Sequence, residues 1–243
     1  MEKFVFLVAS AVFLSAMPGQ SGFEKDVFKT SAGELEITFI GHGTLMMKFA
    51  GKTIHIDPWS RLADYGKLPK ADIILVTHQH GDHLDMKAIE QIRTPGTVLL
   101  LTQKCADEAH LGKVLKNGDV NIVFGIRIEA VAAYNIVHKR PDGGLFHPRG
   151  EGNGYILTFG RTRVYVAGDT ENTQEMKALK DIDIAFLPMN LPYTMTPEMV
   201  ADAAASFKPK ILYPYHTGDT DVKLLQPLLR GDKGIEIRVR RMQ

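Results

Sequence analysis

The densest group of chemically active side chains lies in the segment THQHGDH, where His78, His80, Asp82 and His83 fall within six residues. Imidazole nitrogens and carboxylate oxygens are ligand types suited to zinc, iron or manganese. In an extended turn, side chains two positions apart share a side, so His78 and His80 can hold one metal while Asp82 and His83 reach a neighbouring one. The alternative, a histidine-rich surface loop, must place three of the chain's nine histidines here by chance. The segment therefore predicts a metal or catalytic site.

Two further candidate ligands stand where predicted strands end. Asp169 follows an apolar strand pattern over residues 163–167, and His216 follows another over residues 210–215. Asp169 could instead cap a helix, since a helical pattern comes directly after it. A lone histidine such as His216 is more often structural or solvated. The position of Asp169 at a strand end after the histidine cluster favours a ligand role for this residue.

The hydrophobic pattern predicts the elements that must position these side chains. Apolar runs separated by turn residues predict strands over residues 34–40, 44–49, 53–57, 72–77, 97–102, 125–132, 155–159, 163–167, 182–187, 210–215 and 234–240. Helical patterns cover residues 86–92, 103–115, 197–207 and 222–229, and Thr196 before Pro197 suits a helix N-cap. Two halves of similar layout predict an α/β fold with two sheets packed face to face and helices outside.

The first 22 residues differ in character from the rest of the chain. A short charged start, an apolar run over residues 4–17 and the small residues that follow are typical of a secretory signal peptide. The run is too short to span a bilayer comfortably, so we expect export to the periplasm or the medium and no stable membrane anchor after cleavage. A buried N-terminal strand or helix is the alternative. We expect residues 23–243 to form one domain, and its only cysteine, Cys105, permits no internal disulfide.

Composition limits the class of partner. With 44% hydrophobic and 23% charged residues, the chain can bury a substantial core and is neither fibrous nor disordered. The formal net charge is +1 and there is no dense Lys/Arg run, which argues against a surface for long nucleic acids. We therefore expect a small-molecule substrate and no nucleic-acid partner; the sequence does not indicate the oligomeric state.

The motif THQHGDH resembles the H-x-H-x-D-H motif of the metallo-β-lactamase superfamily. The stretches ITFIGHGTLMMKFAGKTIHIDPW, VYVAGDT and ILYPYHTG look like successive landmarks of one branch, the metal-dependent hydrolases related to the ascorbate-phosphate lactonase type. This resemblance covers most of the chain after the leader. It implies a four-layer αββα sandwich whose loops hold a pair of metals at one edge of the two sheets, and hence a hydrolase domain over residues 23–243.

The resemblance also implies a ligand set, carried over position by position. Two histidines of the motif would hold the first metal, and its aspartate and last histidine the second. An aspartate in AGDT would bridge both ions, and a histidine in PYHTG would complete the second site. The residues concerned are His78, His80, Asp82, His83, Asp169 and His216.

The third ligand of the first metal is open between His138 and His147, which lie in one glycine-rich loop. Asn135 stands where many members of the superfamily place a histidine. We prefer His147, because its FHP segment is similar to one in this branch and because it stands nearer to Asp169 in the chain. The glycines around it would let the loop fold back over the metals. If neither histidine binds, we expect the loop to act as a mobile lid.

Three residues are candidates for direct roles in catalysis. Asp82 could steer the nucleophile or move a proton. His42, in the turn IGHGT, could approach the substrate, although a surface turn histidine is nearly as good an interpretation. Tyr193 could offer its phenol to developing negative charge or simply pack under its loop. Asp57 resembles the buried carboxylate that orients the histidine loop, and Trp59 is expected in the pocket wall or the core.

The expected mechanism uses two divalent ions, zinc first and manganese or iron as alternatives. A hydroxide shared by the two metals would attack an ester, lactone, amide or phosphodiester while one metal polarises the oxygen that gains charge. A true β-lactamase is disfavoured, because penicillin-hydrolysing branches generally lack the bridging carboxylate that Asp169 resembles.

Two alternatives belong to other classes. The first is an iron-dependent oxidoreductase of the same fold, which would normally need a flavin partner or a thiol substrate. The second is a noncatalytic metal-binding protein, against which the complete ligand set argues. Metal content distinguishes the first from a zinc or manganese hydrolase.

Overall fold

The computed structural model describes residues 22–242. The expected signal peptide lies outside these residues apart from Gly22, as does Gln243. None of the helices in the described part of the chain is long and apolar enough to cross a membrane.

Two seven-stranded sheets form the centre of the structure, and each is built from one half of the chain. The first sheet has the strand order β1 to β7, with bounds Glu24–Thr30, Gly33–Gly41, Thr44–Phe49, Lys52–Ile56, Ile73–Leu75, Val98–Leu101 and Lys113–Val114. The second has the reverse order, β14 to β8, with bounds for β8 to β14 of Val120–Val123, Ile126–Ala133, Gly152–Phe159, Thr162–Val166, Ile184–Pro188, Ile211–Tyr215 and Glu236–Ile237. Each sheet begins as an antiparallel meander of four strands and continues with parallel strands.

Helices cover the outer face of each sheet. Helices α1 (Met86–Ile92) and α2 (Gln103–Ala109) pack on the first sheet, and α3 (Gln174–Lys177), α4 (Pro197–Phe207) and α5 (Leu225–Leu228) pack on the second. Side chains from the two inner faces form the main apolar core, in which Ile37 and Ile56 of the first sheet meet Tyr155 and Val166 of the second. The predicted αββα sandwich is therefore confirmed.

Several predicted boundaries were wrong. The helix predicted over residues 103–115 ends at Ala109, because His110 takes a left-handed conformation (φ 52°) and the chain turns back to pair β7 with β6. The pattern over residues 222–229 divides into a 3-10 turn at Val222–Leu224 followed by α5. The strands predicted over residues 72–77 and 234–240 are shorter, and β1 and β8 were missed.

The predicted N-cap at Thr196 is confirmed, and Asp85 is a second N-cap that was not predicted. Thr196 caps α4 by accepting a hydrogen bond from the backbone N–H of Met199 (3.2 Å), and Pro197 occupies the first helical turn. Asp85 caps α1 and also accepts a hydrogen bond from the backbone N–H of Ser60 (2.7 Å). Asp85 thus ties the loop after β4 to the start of α1.

Gly154 marks a close approach within the second sheet. A Cβ at this position would lie 2.7 Å from the carbonyl oxygen of Ala167 and 3.0 Å from the ring of Tyr165. Backbone cannot move away as a flexible side chain can, so a larger residue would force apart β10 and the end of β11. Asp169 lies two residues after Ala167 in the chain.

We predict that Gly154→Ala lowers the free energy of unfolding by about 1–3 kcal/mol, as over-packing of a filled site typically does. Urea denaturation measures the change. Gly234→Ala is the matched control, because nothing lies within 4 Å of its Cβ position, and its effect should stay within about 0.5 kcal/mol. Equal stability of the two variants would contradict the predicted close contact.

Candidate metal centre

Strand ends and turns at one edge of the sandwich bring the predicted residues together. The histidine motif follows β5, while Asp169 and His216 follow β11 and β13. His42 lies in the turn between β2 and β3, and His147 lies in the long loop that leads into β10. Each half of the chain thus contributes to a single site.

The Asp57 carboxylate holds the motif in place and is fully buried. Its Oδ1 accepts a hydrogen bond from the Thr77 backbone N–H (2.8 Å), and its Oδ2 accepts one from the Thr77 hydroxyl (2.7 Å). Oδ2 also lies 2.8 Å from Nδ1 of His83. With a proton on Nδ1 facing Asp57, the Nε2 lone pair of His83 is directed into the site. This is the orienting contact predicted for Asp57.

One group of ligand atoms comes from His78, His80 and His147, which lie within 4.8 Å of one another. Nε2 of His78 is 3.0 Å from Nδ1 of His80. Nε2 of His147 is 3.3 Å from Oδ2 of Asp169, and Nε2 of His78 is 4.0 Å from the same oxygen. Three imidazoles and one carboxylate oxygen therefore converge.

His147, rather than His138, joins this group. The side-chain oxygen of Asn135 accepts hydrogen bonds from the backbone N–H of His147 (2.8 Å) and lies 2.7 Å from its Nδ1. Asn135 therefore orients the imidazole from behind. His138 instead places its Nδ1 2.7 Å from the Glu171 carboxylate.

A second group surrounds the carboxylate of Asp82. Its Oδ2 lies 3.6 Å from Nε2 of His83 and 3.5 Å from Nε2 of His216. Oδ1 of Asp169 lies 3.5 Å from each of the same two nitrogens. His42 adds a third imidazole, with its Nε2 3.0 Å from Oδ2 of Asp82. The two oxygens of Asp169 thus face different groups.

The donor atoms fit a metal. Within residues 22–242, Nε2 of His83, His147 and His216 and Oδ1 of Asp169 are buried without a hydrogen-bond partner. Such atoms cost about 1–3 kcal/mol each when they stay unsatisfied. Ligands bound at about 2.1 Å in tetrahedral geometry are separated by about 3.4 Å, and the separations around Asp169 and Asp82 match this value.

The electrostatic field favours cations. Burial lowers the pKa of His80 to about 4 and holds that of His78 well below its usual value, which keeps both imidazoles in the neutral, metal-binding form. Burial also opposes charge on His83, but the carboxylates of Asp169, Asp57 and Asp82 outweigh it and raise the pKa of His83 to about 10. A metal ion bound at Nε2 of His83 would therefore replace a proton. Excess negative charge therefore surrounds the second group.

Three residues at the site have left-handed backbone although none is glycine: His42 (φ 49°), Asp57 (φ 47°) and His216 (φ 47°). Such conformations cost about 1–3 kcal/mol each and persist only where the surroundings impose them. The backbone N–H of His216 donates to the carbonyl of His42 (3.0 Å), and that of His42 donates to the carbonyl of Met242 (2.7 Å). These bonds join the turns of the two halves.

A cavity of about 730 Å³ opens onto both groups. Trp59 forms part of its wall, 5.1 Å from the His42 ring, and Tyr193 lines it while packing against Phe146 at 5.0 Å. Tyr193 therefore borders the cavity and contacts an aromatic neighbour.

Sequence reasoning missed several residues that shape the site. Fully buried Glu171 accepts hydrogen bonds from the backbone N–H groups of Ile136, Val137 and His138 at 2.7 Å each, which anchors the loop that carries His147. Asn190 places its amide 3.3 Å from Nδ1 of His216. The only sequence feature that points to Glu171 is its place two residues after Asp169. No sequence feature points to Asn190.

An αββα sandwich with a histidine and carboxylate cluster at one sheet edge defines a class of metallohydrolases. A family model described as "Beta-lactamase superfamily domain" matches residues 36–216. The chain belongs to this superfamily, within its metal-dependent hydrolases.

Two relatives and one solved structure support this assignment. The chain is 31% identical to a UPF0173 metal-dependent hydrolase of Thermococcus kodakarensis, with 75% of this chain and 84% of the relative covered. It is 30% identical to one of Methanopyrus kandleri, with 76% and 84% covered. The crystal structure of a metal-dependent hydrolase from Parabacteroides distasonis is similar, with 53% identity, a TM-score of 0.86, and 91% of this chain and 100% of that one covered.

We predict that His147→Ala lowers the metal content of the protein, because it removes one of three imidazoles from the first group. His138→Ala is the matched control from the same loop; it keeps the backbone hydrogen bond to Glu171 and should keep full metal content. Inductively coupled plasma mass spectrometry gives both values. Equal content in the two variants, or loss only from His138→Ala, would refute the assignment.

Proposed function

We propose that the protein is a two-metal hydrolase. His78, His80 and His147 would hold the first ion and Asp82, His83 and His216 the second, with Asp169 shared between them. The observation that carries this proposal is the division of the Asp169 carboxylate, whose Oδ2 faces His147 at 3.3 Å while Oδ1 faces His83 and His216 at 3.5 Å.

Two bound divalent ions, zinc in our proposal and manganese or iron as alternatives, would acidify a water to a pKa of about 7 and polarise the bond to be cleaved. Burial of Asp169 at 5% exposure excludes bulk water from its carboxylate. Asp57 and Asn135 fix the imidazoles of His83 and His147 from outside the site. The chain thus pre-organises its ligands before substrate arrives.

Asp82 and His42 form the proton-handling pair. The Asp82 carboxylate is partly exposed to the cavity and stays ionised, because nearby imidazoles outweigh its burial and hold its pKa well below the usual range. His42 Nε2 contacts it at 3.0 Å and borders the cavity. Asp82 would orient the attacking water, and His42 would take the proton that this water loses and deliver it to the leaving group. Tyr193 offers its phenol to the oxygen that gains charge.

A cavity of about 730 Å³ suits a small-molecule substrate. The proposed substrates are an ester, a lactone, an amide or a phosphodiester, since each has an electrophilic centre that an activated water attacks.

We predict that protein purified without chelator contains about two equivalents of metal and hydrolyses at least one member of a panel of esters, lactones, amides and phosphodiesters. Asp169→Asn removes the charge shared by both groups, so metal content should fall below one equivalent and hydrolysis by at least about 100-fold. The readouts are mass spectrometry of metals and initial rates.

Asp181→Asn is the control for this substitution. Asp181 is exposed and has left-handed backbone (φ 55°), which asparagine tolerates. It should match the unaltered protein. Full metal content and activity in Asp169→Asn would refute the shared-carboxylate proposal, whereas iron without any hydrolysis would favour an oxidoreductase.

A further inference from the structure

Arg140 lines the cavity and lies on the loop that carries His147. A small hairpin fixes its backbone: its N–H donates to the carbonyl of Gly144 (2.7 Å), and its carbonyl accepts from the N–H of Gly143 (2.9 Å). Its guanidinium donates to the Phe146 carbonyl (3.2 Å). The side chain is exposed and borders the cavity from a defined turn.

The guanidinium also meets the outer nitrogen of His80. Nδ1 of His80 faces His78 at 3.0 Å, within the first ligand group, whereas its Nε2 lies 3.3 Å from Nη2 of Arg140. If Nδ1 serves as the ligand, the proton of the neutral ring resides on Nε2. Arginine has no acceptor, so two donors then face each other at 3.3 Å, and an acceptor oxygen beside both nitrogens can take a hydrogen bond from each.

The guanidinium of Arg140 is not neutralised by a carboxylate of the described residues. Within residues 22–242 it forms no ion pair, and neither does Arg61, which lines the same cavity and lies over the Trp59 ring at 5.7 Å. By contrast, Arg149 of the same loop pairs with Glu175 at 2.7 Å. Apart from the Nη2 contacts of Arg140 with Phe146 and His80, the two guanidinium groups keep donors available to a ligand in the cavity.

We propose that Arg140 and Nε2 of His80 form a subsite for an anionic oxygen group of the substrate, a carboxylate or a phosphoryl group, beside the bond that is cleaved. The inference rests on the proposed function, since it takes Nδ1 of His80 as a metal ligand. An oxygen of the anion accepts from both donors, and the planar fork of the guanidinium can hold a second oxygen. Arg61 adds positive charge on the Trp59 side of the cavity.

The test is calorimetric titration of the metal-loaded protein with inorganic phosphate and, in a second arm, with acetate. Arg140→Gln removes the fork and the charge, and Arg149→Gln removes a loop arginine that is already paired with Glu175. Any direct contact of the anion with the metals is common to the unaltered protein and all its variants, so it does not affect the comparison. Metal content is measured on every sample before titration.

We expect Arg140→Gln to bind the anion at least about tenfold more weakly than the unaltered protein, which is the size of one charge-assisted hydrogen bond. Arg149→Gln should match the unaltered protein, and Arg140→Lys should fall between. Dependence on Arg140 for phosphate alone identifies a phosphoryl subsite, dependence for acetate alone identifies a carboxylate subsite, and dependence for both shows that the subsite accepts either group.

Equal affinities in the unaltered protein and Arg140→Gln, both with full metal content, would overturn the subsite and leave the proposed function standing. Loss of metal from Arg140→Gln alone would also overturn it, because the side chain would then support the metal centre. An unaltered protein that holds no metal would refute the proposed function itself.

Discussion

The structure of the site depends on one buried contact, the Asp57 carboxylate against Thr77 and His83. The motif after β5 has no regular secondary structure of its own, so nothing in a strand or helix dictates where its histidines point. Asp57 supplies that constraint with three contacts of 2.7–2.8 Å. Because the carboxylate is fully buried, losing one of these partners would leave an uncompensated charge in the core. The ligand loop is thus anchored to the interior.

The second constraint is the packing of the two sheets, which sets the distance between the ligands that each half contributes. The Tyr155 hydroxyl donates to the carbonyl of Val76 (2.8 Å), and the backbone N–H of Asn153 donates to the carbonyl of Thr77 (2.9 Å). These bonds hold the histidine loop of the first sheet against β10 of the second. Asp169 follows β11 of the second sheet, and this packing brings it close to imidazoles from both halves of the chain.

Local features of the site were predictable from the sequence, whereas contacts between distant segments were not. The motif residues and the preference for His147 depend on short patterns, and the structure brings these side chains together. Asn135 was noted only as a missing histidine, yet it orients His147 across twelve residues of chain. The place of Glu171 two residues after Asp169 gives no role by itself, since that role is defined by backbone groups of another loop. The edge strand β1 was missed because its side chains alternate only between half-buried and exposed.

The central claim is that Asp169 joins two metal sites. Crystals of the zinc-loaded protein, measured on both sides of the zinc absorption edge, test it directly through anomalous difference density. We expect two peaks, one among His78, His80 and His147 and one beside Asp82 and His216, each in contact with a different oxygen of Asp169. A single peak, or a peak that Asp169 does not touch, would contradict it.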